Sequence, residues 1–169
     1  MSLEGQALDL MYRVYSGVER YLRDEVELNL IDKSDHIRTL ECLELRSVTS
    51  FIPVAGVIDM YLVISFDETL LQEISKKFLS GAISVSHEDC MDMAGEFNNI
   101  VLGLSMEELD GVSIFAPPGV ITDEKKIVRE ANMEIYGLTC KTHKGELDIY
   151  FMGPKGSFDK NLNYTGDIS

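Results

Sequence analysis

At 169 residues the chain fits one ordinary domain, and its 45% apolar and 26% charged residues are the balance of a globular protein with a buried core, which excludes disorder throughout. The 15 Lys and Arg against 29 Asp and Glu leave a formal charge of −14, which repels phosphate backbones and anionic lipid, so neither nucleic acid nor membrane is an expected partner. No apolar run approaches the ~18 residues of a membrane span, and Glu4, Asp9 and Arg13 occupy the place of a secretory apolar core, so the expected location is the cytoplasm.

Met11, Val14, Tyr15, Val18, Tyr21 and Leu22 recur at helical spacing with charged residues between them, which predicts an amphipathic helix over roughly residues 6–26. Residues 39–50 and 56–66 are rich in β-branched and aromatic side chains and read as two strands, with Pro53 to Gly56 as the break. Asp67 is the expected cap of a helix carrying Leu70, Leu71, Ile74 and Phe78, which Ser80-Gly81 ends. Ser86, followed by Glu88 and Asp89, opens a long helix that runs to about Asp110-Gly111.

A short strand over Val112 to Phe115, the Pro117-Pro118-Gly119 break and a charged connector follow. Residues 132–141 and 146–152 then form a hairpin around Thr142 to Gly145, with Leu147, Ile149 and Phe151 on one face. The order predicts an α+β fold with a largely antiparallel sheet and helices on one side, and it hints at two duplicated halves, each a long helix leading into strands. Residues 1–152 are read as a single domain and 153–169 as a loosely held tail.

The helix from Ser86 has a feature that packing does not require. At 100° per residue, Met93, Phe97, Ile100, Val101 and Leu104 form the core stripe, while Asp92, Glu96, Asn99 and Gly103 share a separate arc of about 60°. Residues 78–124 contain nine acids and no Lys or Arg, where a solvated surface would mix the two signs. That repulsion brings no folding benefit and points to a cationic partner surface. Gly95 and Gly103 each weaken a helix interior by ~1 kcal/mol and suit places where another backbone comes close, in a partner or within the fold.

The string Asp92-Met-Ala-Gly95-Glu96-Phe-Asn-Asn99-Ile-Val-Leu-Gly103 resembles the Asp-x3-Glu-x2-Asn signature of the CheX/CheC/FliY chemotaxis phosphatase family, and most closely its CheX form. Val63 to Leu70, Val112 to Ile121 and Gly145 to Ile149 are similar to flanking segments of that family, in the same order. The resemblance implies a CheC-like fold, a homodimer, and a phosphatase acting on the aspartyl-phosphate of a CheY-like receiver domain. Asp9-x3-Arg13-x2-Ser16 stands at the matching place of the first helix and lacks both Glu and Asn, so one competent site is expected. Phe97-Asn98 within the motif and Ile100 after it depart from the family pattern.

The chemistry implied by the resemblance suits these residue types. An aspartyl-phosphate is already reactive, and its loose transition state needs an in-line water more than a strong base. A neutral carboxamide orients water without repelling the phosphoryl group, so Asn99 is the candidate catalytic residue. Glu96 lies ~4.5 Å along the axis on the same arc, suited to pairing with a receiver lysine. Asp92, Gly95 and Gly103 are read as partner-binding. No cofactor is expected on this chain, and the Mg2+ that receivers use is expected on the receiver's own carboxylates. A non-catalytic receiver-binding adaptor, or an interaction module like the flagellar switch proteins, fits the acidic surface equally well.

The remaining candidates read as structure. His36, His87 and His143 stand apart without metal-ligand spacing, and Cys42, Cys90 and Cys140 suit reduced thiols. No phosphate-binding glycine loop appears, and Lys76-Lys77 and Lys125-Lys126 are read as solvated surface.

Overall fold

A computed structural model describes residues 6–31, 37–55, 59–80, 84–106 and 114–156. Helix α1, Gln6–Tyr21, buries Leu10, Met11, Val14 and Val18, and a wider π-type turn, Leu22–Val26, carries the chain on to Glu27. Strands β1 (Arg38–Leu40), β2 (Cys42–Leu45), β3 (Val48–Ala55) and β4 (Met60–Phe66) come next. Helices α2 (Glu68–Phe78) and α3 (His87–Met106) are followed by β5 (Ile114–Phe115), β6 (Gly119–Ile121), β7 (Lys125–Val128), β8 (Met133–Thr142) and β9 (Gly145–Pro154).

Seven strands form one antiparallel sheet in the order β1-β8-β9-β4-β3-β5, with β6 also paired to β3. Period-two alternation assigns its faces. Val48, Ile52 and Val54 of β3, Leu62, Ile64 and Phe66 of β4, and Leu147, Ile149 and Phe151 of β9 join the three helices in the main core. The opposite face carries Val63, Ile135 and Tyr150, covered by Leu43 and Leu45 of a two-stranded β2–β7 ribbon. The α+β class, antiparallel sheet and one-sided helices therefore stand as the sequence predicts.

Several boundaries differ, each for a physical reason. The predicted strand over 39–50 is three strands, and β3 continues through Pro53. That proline falls between the stretches of β3 paired by β6 (Thr49 to Phe51) and by β5 (Val54 to Ala55), so its missing N–H breaks neither short ladder. The charged connector contains β6 and β7. Strand β9 runs to Pro154, and the Lys155 N–H donates to the Asn132 carbonyl at 2.7 Å, so the tail is held to that point. The predicted end of α3 near Asp110, the start of the Val112 strand, Gly56, Gly81 and His36 lie outside the described residues.

Asp67 stands at the N-cap of α2 with extended backbone, but its carboxylate makes no cap hydrogen bond. It accepts instead from Arg46 at 2.8 Å and from the Glu146 N–H at 2.8 Å. Arg46 also donates to Asp148 at 2.7 Å and to Glu146 at 2.9 Å, and Thr139 donates to Asp148 at 2.6 Å. Burial opposes the guanidinium charge, but the hydrogen bonds to Asp148 and Asp67 outweigh it and hold the Arg46 pKa above its ordinary value. This network joins the start of α2 to β9.

Candidate functional site

Helix α3 starts on a reciprocal cap. The Asp89 N–H donates to Ser86 Oγ at 3.0 Å, and the Ser86 N–H donates to Asp89 Oδ2 at 3.1 Å, which satisfies two donors that a helix start leaves open. From there one face is packed on the core. Cys90, Met93, Ala94, Phe97, Asn98, Val101, Leu102 and Ser105 are buried. Phe97 sets the depth, edge-on to Tyr21 at 5.0 Å and to Phe66 at 5.2 Å between ring centroids. The buried arc is wider than the predicted stripe and is rotated from it. Ile100 and Leu104 are only half-buried, because α1 and the sheet cover α3 from two sides.

The outward arc survives this adjustment. Asp92 and Glu96 are exposed, and Asn99 and Gly103 are half-buried. Neither the two carboxylates nor the Asn99 amide has a hydrogen bond or ion pair among the described residues, so all three remain available to something outside the fold. Among the described residues an added Cβ at Gly103 would meet no atom within 4 Å.

Gly95 corrects the sequence reading. It is buried, and a Cβ there would stand 3.1 Å from the Pro118 ring, so its smallness lets α3 close against its own chain rather than a partner.

Beside Asp92 and Glu96 lies a cleft of about 230 Å³ lined by Ser75, Phe78, Leu79, Asp89, Asp92 and Met93. Phe78 is 54% and Leu79 43% exposed at the end of α2, so an apolar edge runs along the acidic arc. Tyr21 approaches from the other side. Its phenol is pushed above the ordinary value by burial first, and then by the charges of Glu25 and Glu96.

A larger cleft of about 490 Å³ lies along α1 and includes Asp9, Arg13 and Ser16, the counterparts of Asp92, Glu96 and Asn99. Its polar groups serve one another, since Arg13 donates to Asp9 at 2.7 Å. We therefore place the candidate site on α3, where Asp92 and Glu96 have no such partner among the described residues.

The three cysteines are free thiols; Cys90 and Cys140 are buried, and burial raises the Cys90 pKa. Among the described residues no group of three His, Cys, Asp or Glu is placed to hold a metal ion, and no helix is long and apolar enough to cross a membrane.

The family model for chemotaxis phosphatase CheX matches residues 48–141, which span β3 to β8 and all of α3. The chain belongs to the CheX family. Its fold is similar to that of a chemotaxis protein CheX from Desulfovibrio desulfuricans, with 17% identity and a TM-score of 0.71 over 85% of this chain and 97% of that one. CheX from Vibrio vulnificus matches with 21% identity and a TM-score of 0.67 over 86% and 99%. Similarity extends to the CheX of a Borrelia burgdorferi CheX–CheY–BeF3–Mg2+ complex, with 14% identity and a TM-score of 0.54 over 85% and 97%. A comparison with proteins of curated function yields no match. The CheC-like fold expected from the motif is thus the fold of the chain, as these solved CheX structures show it.

Sequence reasoning missed two polar side chains that join distant parts of the fold. Arg46 lies inside the predicted strand over residues 39–50 and gives no sign in sequence of its three carboxylate partners, Asp67, Glu146 and Asp148. Asn98 reads as a polar neighbour of Asn99, yet at 100° per residue it falls beside Ala94 and Val101 on the buried side. The helical wheel was the signal that could have found it.

Proposed function

We propose that this CheX-family chain hydrolyses the aspartyl-phosphate of a phosphorylated CheY-like receiver domain. Asn99 orients the attacking water, and Glu96 docks on a receiver lysine. Water forms the new O–P bond as the bond from phosphorus to the aspartyl oxygen breaks. The receiver regains its carboxylate, and phosphate leaves with both water protons. A carboxamide holds that water through its donor and acceptor without adding negative charge beside the phosphoryl oxygens. Mg2+ belongs in this scheme to the receiver, and the CheX–CheY–BeF3–Mg2+ complex of the Borrelia relative supports a partner of that kind.

The observation that carries the reading is the isolation of Glu96 and Asn99 on the outward arc of α3, without hydrogen-bond or ion-pair partners among the described residues, while the opposite face is anchored in the core. The test is phosphate release from a phosphorylated receiver with and without the protein. Acceleration by catalytic amounts is the expected result. Stoichiometric binding with no acceleration would leave only the adaptor reading.

A homodimer forms part of the same proposal. Tyr61, Ile127 and Val128 are exposed on the outer side of the molecule, and an apolar cleft of about 190 Å³ opens there between the β2–β7 ribbon and the sheet. A second copy would bury that surface. Sedimentation equilibrium should give twice the 19.0 kDa of one chain, and the single-chain mass would remove the dimer.

A further inference from the structure

The side of α3 turned away from Glu96 and Asn99 holds a polar side chain deep in the core. Asn98 is 0% exposed. Its Nδ2 donates to the Ser50 carbonyl at 3.3 Å, the Leu62 carbonyl at 3.1 Å and the Ser50 hydroxyl at 3.2 Å, while Oδ1 has no hydrogen-bond partner among the described residues. Both backbone partners are carbonyl oxygens and can only accept, so the NH2 end must face the sheet and the amide has one workable orientation. Burying an amide costs free energy that burying Ala or Leu would not, so filling space does not account for it.

These bonds tie α3 to two adjacent strands, β3 through Ser50 and β4 through Leu62. The other anchors on this face, Phe97, Val101 and Leu102, are apolar and act through non-directional contacts that tolerate a small turn of the helix. Hydrogen bonds weaken steeply with angle, so Asn98 resists that turn.

We infer that Asn98 is a positioning residue, which fixes the rotation of α3 about its axis and thereby aims Asn99 and Glu96 at the partner. The inference rests on the receiver-phosphatase reading. Asn98 and Asn99 are consecutive on one rigid helix, and a turn of about 10° moves a side-chain tip ~6 Å from the axis by about 1 Å. A misplacement of that size costs roughly 10²-fold in rate where a reaction depends on alignment.

Asn98→Leu keeps the approximate volume and removes the bonds. With a phosphorylated receiver in single turnover, its saturated rate per folded molecule should fall about 10- to 100-fold, while the half-saturating receiver concentration stays within about 3-fold. The folded fraction comes from circular dichroism on the same samples, so lost stability alone does not lower the rate that is read. Asn99→Ala is measured alongside.

A full rate from Asn98→Leu beside a slow Asn99→Ala overturns the positioning role and leaves the phosphatase reading standing. Full rates from both overturn the two together. Should Asn98→Leu fail to fold, Ser50→Ala removes one of the three acceptors and keeps Asn98. Its saturated rate should then fall about 2- to 5-fold, and an unchanged rate overturns the inference.

Discussion

Helices α1 and α3 pack against each other through Gly17, where an added Cβ would meet Val101 at 3.5 Å, yet they treat their outer surfaces differently. On α1 the charges answer one another: Arg13 pairs with Asp9 at 2.7 Å, and just beyond the helix Arg23 pairs with Asp24 at 2.8 Å. On α3 the exposed Asp92 and Glu96 have no ion-pair cation among the described residues: residues 78–124 contain no Lys or Arg, and the α2 lysines face other acids, Lys77 to Glu27 and Lys76 to Glu73. A face that only has to meet water can neutralise itself. One that leaves like charges unanswered suits the cationic partner proposed above, and the half-buried Asn99 lies on that face.

Four measurements would break or sharpen this contrast. The largest effect is expected where α3 is anchored. Phe97→Ala removes a fully buried ring that touches Tyr21 and Phe66, and should lower the unfolding free energy in urea by about 3–5 kcal/mol. A loss under ~1 kcal/mol would mean that the ring does not set the helix's depth. Next comes the outer arc. Glu96→Lys turns the proposed charge pair into a like-charge contact and should weaken receiver binding about 10-fold or more at low salt, the difference shrinking as salt rises. Equal titration curves would remove Glu96 from docking.

On α1 the same kind of change should do little. Arg13→Ala breaks a partly exposed i,i+4 pair, worth about 0.3–0.5 kcal/mol, and should leave receiver binding unchanged. A large loss of binding would shift the docking face toward the cleft on α1.

The smallest effect lies where the two helices meet, at Tyr21. Because its folded-state pKa is raised above the ordinary 10.0, the native state holds the phenolic proton more tightly than the unfolded chain. The resulting stability is complete below pH 10 and is lost as the pH rises through the folded value. Relative to Tyr21→Phe, the protein should therefore lose stability above pH 10. Glu96→Gln, which removes one of the two acidic neighbours, should move the Tyr21 absorbance titration back toward 10.0. An unmoved midpoint would place Glu96 too far away to act on the ring.

The parts of the fold legible in sequence were those with a local cause. Ser86 and Asp89 cap α3 through bonds between residues three apart, and the β8–β9 hairpin follows from alternation around a two-residue turn. The outward arc was legible because helical geometry alone assigns Asp92, Glu96, Asn99 and Gly103 to it. Features with distant causes were not. Asp67 looks like a cap until Arg46, 21 residues earlier, and Glu146, 79 residues later, claim its carboxylate. Pro53 looks like a break until β5 and β6 divide its neighbouring edge between them. Gly95 looks open to a partner until Pro118 folds over it. Asn98 shows its role only when β3 and β4 are beneath it.

The central claim is that the Asn99 amide aligns water at a partner's phosphoryl group. Single-turnover dephosphorylation at saturating phosphorylated receiver, read beside the dissociation constant, tests it directly. Asn99→Ala should lower the saturated rate by about 10²-fold while the dissociation constant stays within about 3-fold. A full rate from that variant would contradict the account.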